Sequence, residues 1–364
     1  MERARVLAVL SRKNCISEVL VRLKGKKEKA RALNFEGFTG ELFPGDRVVL
    51  NTTAIRLKLG SGGFHLVCFN YEQPTRKMDG RGHIMKMRYA PHQLRVFSCE
   101  EEGNCLQEIE NFKSLEGSPV LVGELHSMLA PAVLALKAFS PAIRVGYIMT
   151  DSASLPLAMS KVVHQLKEKG LLHVSISCGQ AFGGDLEAVN LYTGIIAAFA
   201  LACVDVALIS AGPGVVGTGT RFGFSGMELA ENINRVRALG GTPLVIPRLS
   251  LQDYRGRHQG VSHHTLTPLS LSHVLPAYLP LPPLTLPERT LIMEQLKAYG
   301  IMKKHRVCSV VPYDPEKLSL EEEVVMETMG RKAGEDPLFF KAAAAAGTLA
   351  ARMLQKRQDS INLT

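Results

Sequence analysis

Along the first 110 residues, apolar and polar positions alternate with a period of two. RVLAVLSR, SEVLVRL, DRVVLNTTAIRLKL, FHLVCFNY, HIMKMRY and QLRVFS each place every second side chain on one face, and FPGD, GSGG and MDGRG supply turns between them. This spacing predicts a small all-β barrel or sandwich. From about residue 118 the pattern changes to short continuous apolar runs, PVLVGEL, IRVGYIMT, HVSIS, DVALIS, PLVIPRL and RVCSVVPY, separated by longer stretches of helical period. Strands apolar throughout are buried on both faces, so this part predicts βαβ units and an α/β, doubly wound, mostly parallel sheet. The two patterns divide the chain into a β domain, residues 1–112, and an α/β domain, residues 113–364.

Local signals place the helices. SLPLAMSKVVHQLKEKG begins with Ser154 as a cap candidate and ends in Lys167, Lys169 and Gly170. Ser319 and Glu322 have the spacing of a capping box, and Asp336 followed by Pro337 reads as N-cap and first helical residue of an Ala-rich terminal helix. Asp185 is an N-cap candidate too, and a helix starting there would put Glu187 and Asn190 on one face. The proline-rich VLPAYLPLPPLTLPERT reads as an ordered crossing or an extended linker, since proline disrupts helix and sheet interiors alike.

Charge is unevenly distributed. Residues 1–98 carry 19 Lys/Arg against 8 Asp/Glu, a net +11, and the remainder 24 against 26, a net −2. RLKGKKEKARALNF reads either as a solvated hairpin or as a surface for nucleic-acid phosphates, and the β domain's aromatics, Phe35, Phe38, Phe64, Phe69 and Tyr71, either stack bases or fill a barrel core. Seven scattered cysteines without a C-x-x-C argue against a disulfide framework or a thiolate zinc site. The apolar run 191–204 stops at Asp205, short of the ~20 residues that cross a bilayer, so no membrane partner is expected. The N-terminal apolar stretch is too short for a signal sequence, which gives a cytoplasmic expectation.

Each apolar run of the second part is followed by a polar, small-residue loop: GELHS, MTDSAS, SCGQAFGGDLEAVN, AGPGVVGTGTRFGFSG and RLSLQDYRGRHQGVSHHT. Carboxyl ends of parallel strands face one edge of a sheet, so these loops are expected on one rim, where such folds bind ligands. AGPGVVGTGTRFGFSG, residues 211–226, has six glycines and precedes an expected helix near SGMELAENINRVRAL. That layout presents backbone N–H groups to an anion, with Gly212, Gly214, Gly217 and Gly219 giving access, Thr218 and Thr220 donating, and Arg221 offering a planar cation. The plainer reading is that the glycines allow tight turns and packing. Gly212, Gly214 and Gly217 fit G-x-G-x-x-G, but the helix opens too late and Arg248 stands where an acid belongs, which argues against a dinucleotide.

Candidates for chemistry follow from the same loops. His263 or His264 would act as general acid or base with Asp151 or Asp185, an imidazole titrating near pH ~6.5 when unperturbed, and Arg221 would neutralise developing charge. Cys178 is a nucleophile candidate if a cation adjoins it, and otherwise a packed thiol. Glu187, Asn190 and Arg257 are ligand-binding candidates. Glu124, His126, Asp151 and Asp185, with the histidines of QDYRGRHQGVSHHT, supply enough nitrogen and oxygen for a divalent metal, although no fixed ligand spacing marks one.

GYIMTDSASLP, SCGQAFGGDLEAVN, AGPGVVGTGTRFGFSG, YRGRHQGVSHHTLTPL and GHIMKMRY resemble the corresponding stretches of a bacterial family, domain of unknown function 3866, over nearly the whole chain. The resemblance implies a bacterial cytoplasmic setting and carries no activity, substrate or catalytic residue to these positions. The family's Asp loop usually continues with Gly, and here Ser152 follows Asp151. Taken together, the residues suggest an enzyme of hydrolysis or group transfer acting on a phosphorylated or nucleotide-like anion. The second reading is a metabolite-sensing module whose basic domain touches nucleic acid or an acidic partner.

Overall fold

The computed structural model describes residues 1–361 apart from 14, 60–61, 76–80, 102 and 273–275. The turns expected at GSGG and MDGRG fall partly outside the described residues. Two compact units form. One comprises Met1–Arg81 with Met87–Arg95, the other Gly82–Lys86 with Val96–Thr364, so the units part at 95/96, before the expected 112/113, and 82–86 belongs with the second.

The first unit is a closed barrel of β1 (Glu2–Lys13), β2 (Ile16–Leu23), β3 (Lys29–Phe35), β4 (Arg47–Asn51) and β5 (His65–Asn70), in the order 1-2-3-5-4. Period-two alternation explains its core. In β2, Ser17, Val19, Val21 and Leu23 are buried while Glu18, Leu20 and Arg22 face outward, and Val6, Val48, Leu50 and Val67 complete the interior. Register shifts in β1 between Val6 and Ala8 and between Val9 and Ser11 bend that strand so that it pairs with both β2 and β4. TAIRLKL, expected as strand, instead turns helical over Thr53–Arg56, where Asn51 Oδ1 accepts the Thr53 N–H at 3.0 Å and redirects the chain.

The second unit holds an eight-stranded parallel sheet of β6 (Pro119–Val122), β7 (Val145–Thr150), β8 (Val174–Cys178), β9 (Leu186–Ala188), β10 (Val206–Ala211), β11 (Thr242–Val245), β12 (Tyr278–Leu281) and β13 (Arg306–Ser309). Their order is 9-8-7-10-6-11-12-13. Every residue of β6, β7, β8 and β10 is buried, as continuous apolar runs require. Val120, Val122, Ile148 and Ile209 face one helical layer of α3 (Leu191–Ala200), α4 (Glu228–Ala238), α5 (His263–Leu271) and α6 (Leu286–Ala298). Leu121, Tyr147, Met149 and Leu208 face the other, of α1 (Leu129–Phe139), α2 (Lys161–Glu168) and α7 (Pro337–Ile361). Small residues let α7 lie close to α1: a Cβ at Gly347 would stand 2.3 Å from Ala132 O.

Several local expectations are corrected. α2 starts at Lys161, not after Ser154, because Leu155–Leu157 is held extended against Phe182, and Ser160 is the cap, accepting the Val163 N–H at 2.9 Å. The helix Pro315–Glu321 is capped by Asp314, and Ser319 lies inside it, its hydroxyl donating to Val324 O at 2.6 Å. Asp185 caps no helix: the chain forms β9 first, and α3 is capped by Asn190. The proline-rich stretch contributes β12, seventh in the sheet. Pro280 is tolerated there because β12 pairs with β11 at Leu244–Tyr278 alone and with β13 over four residues. α7 begins at Pro337 as expected, with the Asp336 carboxylate drawn to Ser250 Oγ at 2.8 Å and Arg331 Nε at 3.1 Å.

Candidate functional site

The chain leaves β6 toward β7, β8 and β9, returns to β10 beside β6, and then proceeds to β11, β12 and β13. Loops after β6 and β10 therefore feed helices on opposite faces, which opens a crevice at their carboxyl ends. A cavity of about 360 Å³ lies there, lined by residues 125–127 after β6, by Pro213, Gly214, Val215 and Gly217 after β10, and by Arg248, Arg255, Arg257, His264 and residues 327–329.

The glycines of the β10 loop divide their work. A Cβ at Gly212 would lie 2.5 Å from Ser154 O, and one at Gly217 would lie 3.2 Å from Phe224 Cβ, so both allow close packing. Gly214 differs, with φ +92° and open space where a side chain would stand. Among the described residues nothing accepts the Gly214 or Val215 N–H, which leaves two donors at the cavity wall. Thr218 and Thr220 are not donors to the cavity: Thr218 N–H and Oγ1 bond to Gly223 O, and Thr220 Oγ1 accepts the Gly223 N–H, closing a small exposed hairpin. Gly219 comes near Arg257 Nη1, and Arg221 lies over the Phe222 ring at 5.1 Å without lining the cavity. The N-terminus of α4 is met by its own Glu228 and Glu231, so the helix end is not left for a ligand.

Cations reach the cavity from the segment after β11. Arg248, 5% exposed, bonds Glu124 Oε1 at 3.2 Å and Asp253 Oδ2 at 3.4 Å, and Arg255 grips Asp253 with Nε at 2.9 Å and Nη2 at 2.8 Å. The Arg255 hydrogen bond, outweighing burial, holds the Asp253 carboxyl far below the ordinary range. Burial alone would raise the Glu124 carboxyl, but the His264 ring and Arg248 together keep it below its usual value. Arg257, expected as a ligand-binding residue, is exposed and lines the cavity.

Three imidazoles stand beside these arginines. His258, His263 and His264 have ring centroids 4.4–5.0 Å apart, and Phe224 stacks on His264 at 3.9 Å. Burial, then Arg248 and Arg255, push His258 down to about 3, and burial, then His264 and Arg257, push His263 down to about 4, so both rings are neutral at pH 7. Beneath the glycine loop, His126 Nδ1 meets Tyr147 OH at 3.1 Å and Nε2 meets Ser160 Oγ at 2.6 Å, while Tyr147 donates to Ala211 O at 3.0 Å. Burial lowers His126 to about 4.

The remaining expected residues lie elsewhere in the unit. Asp151 Oδ2 accepts the Gln180 N–H at 2.8 Å, tying the loops after β7 and β8 together. Asp185 accepts from Ser175 N and Oγ, each at 2.8 Å, and pairs with Lys167, which sets it near the start of β8, away from the rim. Glu187 accepts from Lys86 Nζ at 2.5 Å, Ser177 Oγ at 2.6 Å and Gly183 N at 2.6 Å, and Lys86, 1% exposed, also donates to Ser177 O and Ala181 O. Asn190 spends its side chain on the Tyr192 and Thr193 N–H groups. Cys178 is buried, and burial pushes its thiol far up, which withholds a nucleophilic thiolate. Sequence reasoning passed over the Glu124–Arg248–Asp253 chain and Glu228, whose carboxyl receives Thr150 Oγ1 at 2.6 Å. The arginines of the YRGRH segment were the available signal; the pairing across 124 positions had none.

No helix among the described residues is long and apolar enough to cross a membrane. Residues 31–347 match the model of the family described as protein of unknown function (DUF3866). No curated protein and no solved structure matches the chain.

Proposed function

The chain belongs to the DUF3866 family, and we propose that its α/β unit binds an anionic, phosphorylated or nucleotide-like small molecule at the strand-end rim and acts on it by hydrolysis or group transfer. One observation carries this reading: Arg248, Arg255, Arg257 and the unclaimed Gly214 and Val215 amides converge on one cavity at the point where strand order reverses. A planar guanidinium and paired N–H groups suit phosphate or carboxylate oxygens. The volume of about 360 Å³ falls at the small-ligand end of such pockets. The dinucleotide alternative gains nothing, since the loop forms a hairpin before α4 begins.

Titration calorimetry with inorganic phosphate, pyrophosphate and a panel of nucleotides tests this reading. Arg257→Ala is expected to weaken binding of whichever anion is taken by about tenfold or more, the loss of a charged hydrogen bond, without changing unfolding of the free protein. Binding by none of these anions, or binding indifferent to Arg257, would overturn it.

A second reading, in which the barrel contacts nucleic acid and the α/β unit senses its ligand, is favoured by one feature of register. Lys29 is paired with Arg22, Arg22 with Arg5, and Arg5 with Arg47, so four exposed cations form one row across β3, β2, β1 and β4. Like charges directly opposite one another destabilise a sheet, and a polyanion relieves them. Three members of the row, Arg22, Arg5 and Arg47, line a groove of about 520 Å³ together with Arg3, Lys24, Lys26 and Tyr71. Phe69 and Tyr71, in edge contact at 5.3 Å and both partly exposed, offer rings for base stacking. Five-stranded barrels such as OB-folds bind oligonucleotides, an argument from fold analogy alone.

A further inference from the structure

We propose that His258, His263 and His264 form a binding site for one divalent transition-metal ion of the zinc class, its open coordination position turned toward the arginine-lined cavity. The three residues each offer a ligand nitrogen, and these atoms lie within 4.8 Å of one another. Nitrogens around a tetrahedral zinc at ~2.0–2.1 Å stand about 3.3 Å apart, so the rings close in slightly on binding. The ring planes are inclined at 44° to 89°, so the imidazoles meet by edges rather than stacking face to face.

Hydrogen bonds on the far side of two rings fit this assignment. His264 Nδ1 lies 3.3 Å from Glu124 Oε1, and His258 Nδ1 lies 2.7 Å from Ser262 Oγ, which leaves Nε2 of each as the ligating atom. Ligating histidines commonly have their other ring nitrogen held in this way by a carboxylate or hydroxyl, which fixes tautomer and orientation. Ser262 is itself fixed as the cap of α5, accepting the His264 N–H at 3.1 Å. Arg257 Nε lies 3.4 Å from His258 Nε2, and that exposed side chain is free to withdraw when an ion enters.

A second, independent observation points to a ligand. Among the described residues, His263 Nε2 is a buried atom with no hydrogen-bond partner, as is Glu124 Oε2. A buried polar atom left unpaired costs about 1–3 kcal/mol, and three imidazoles crowded together need a reason to stay. A metal ion satisfies the first orphan directly. Of the neighbouring cations, Arg248 is paired with Glu124 and Asp253 and Arg255 with Asp253, which leaves Arg257, on its exposed side chain, as the one that must move aside.

Three imidazoles select zinc, cobalt, nickel, copper or iron over magnesium and calcium, and three protein ligands leave a fourth position for water or an anion oxygen. His264 lines the cavity, so that position adjoins the space that Arg255 and Arg257 border. A role in hydrolysis rests on the anion reading above, whereas the binding of metal does not.

The test uses the full chain freed of metal by a chelator and titrated with Co²⁺ alone, read by visible absorption, with zinc content of the reloaded protein measured by mass spectrometry. The expected result is one ion per chain, an intense band of the tetrahedral type, and competition by one equivalent of Zn²⁺. Replacement of the partly exposed His263 by His263→Gln should abolish the band, and Glu124→Gln should weaken affinity by about 10- to 100-fold. No stoichiometric band in the wild-type chain would overturn the proposal, as would a band untouched by His263→Gln in a protein that unfolds like the wild type. Phosphate binding is measured separately on the metal-free chain: a cobalt band without anion binding keeps the metal site and removes the anion reading, and anion binding without a band does the reverse.

Discussion

The two units carry positive charge in opposite ways. In the barrel, Lys29, Arg22, Arg5 and Arg47 lie exposed in one row across four strands. In the α/β unit, Arg248 and Lys86 are almost completely buried, and each is surrounded by acceptors of the same unit. An exposed row is screened by water and salt, and its consequence is attraction at the surface. A buried cation is bound to its partners by the desolvation cost of separating them, and its consequence is to hold elements in place. Arg248 joins the loop after β6 to that after β11, and Lys86 joins Ser177 and Ala181 to Glu187. Net charge therefore reveals the first arrangement and conceals the second.

The largest effect expected from this contrast is in stability. Arg248→Ala leaves Glu124 buried with His264 as its remaining partner and takes one of two arginines from Asp253. Breaking a buried pair in this way costs about 3–5 kcal/mol. Urea unfolding of the α/β unit should move by that amount. Arg5→Ala in the barrel should leave stability unchanged or slightly raised, since it removes a like-charge neighbour from both Arg22 and Arg47. Equal losses from both substitutions would end the distinction between the two kinds of charge.

How far the sequence discloses each arrangement follows from the same physics. Strand and barrel were legible because period-two alternation in β2 and the uninterrupted apolar runs of β7 and β10 are local patterns. Of the five loops expected on one rim, those after β6, β10 and β11 line the cavity, with Gly214, Arg257 and His264 among their residues, and those after β7 and β8 do not. Helix starts were less so, because Ser154, Asp185 and Ser319 are good caps locally, but extended pairing with Phe182, strand β9 and the stronger Asp314–Pro315 start prevail. The destinations of Glu187 and Asp185 were hidden for a different reason. Glu187 is claimed by Lys86, 101 residues away, and Asp185 by Ser175 and Lys167, and no spacing rule announces such partners. Thr218 and Thr220 were misleading because their hydroxyls close the hairpin within their own loop.

A smaller effect should appear in the salt dependence of binding to the barrel. A single-stranded oligonucleotide titrated against the full chain at several salt concentrations should bind more weakly as salt rises, and Arg5→Ala and Arg22→Ala should each reduce the slope of log affinity against log salt by ~0.7–1. Phe69→Ala should weaken binding with the slope unchanged, because stacking releases no counterions. Slopes indifferent to the arginines would make the row a solvated face and leave the α/β unit as the seat of function.

The smallest effect lies between these extremes, at a half-buried carboxyl. Glu228, in the first turn of α4, accepts from Thr150 Oγ1. Burial is the dominant influence and raises its pKa, the Thr150 hydroxyl opposes the rise, and Asp151 nearby adds to it. A carboxyl whose folded pKa exceeds its unfolded pKa leaves the native state holding more protons between the two values. Stability is therefore highest below the unfolded value near ~4.3, falls as pH rises toward the folded value, and is level beyond it. Glu228→Gln keeps an oxygen for Thr150 and removes the titration. The variant should melt above the wild type by ~1–4 °C at pH 8, with the difference shrinking to nothing as pH falls below the ordinary carboxylate range. The helix N-terminus favours a negative charge at this position and works against the effect, so a variant that melts lower at pH 8 would show the helix end outweighing burial and would place Glu228 with the exposed charges of the barrel.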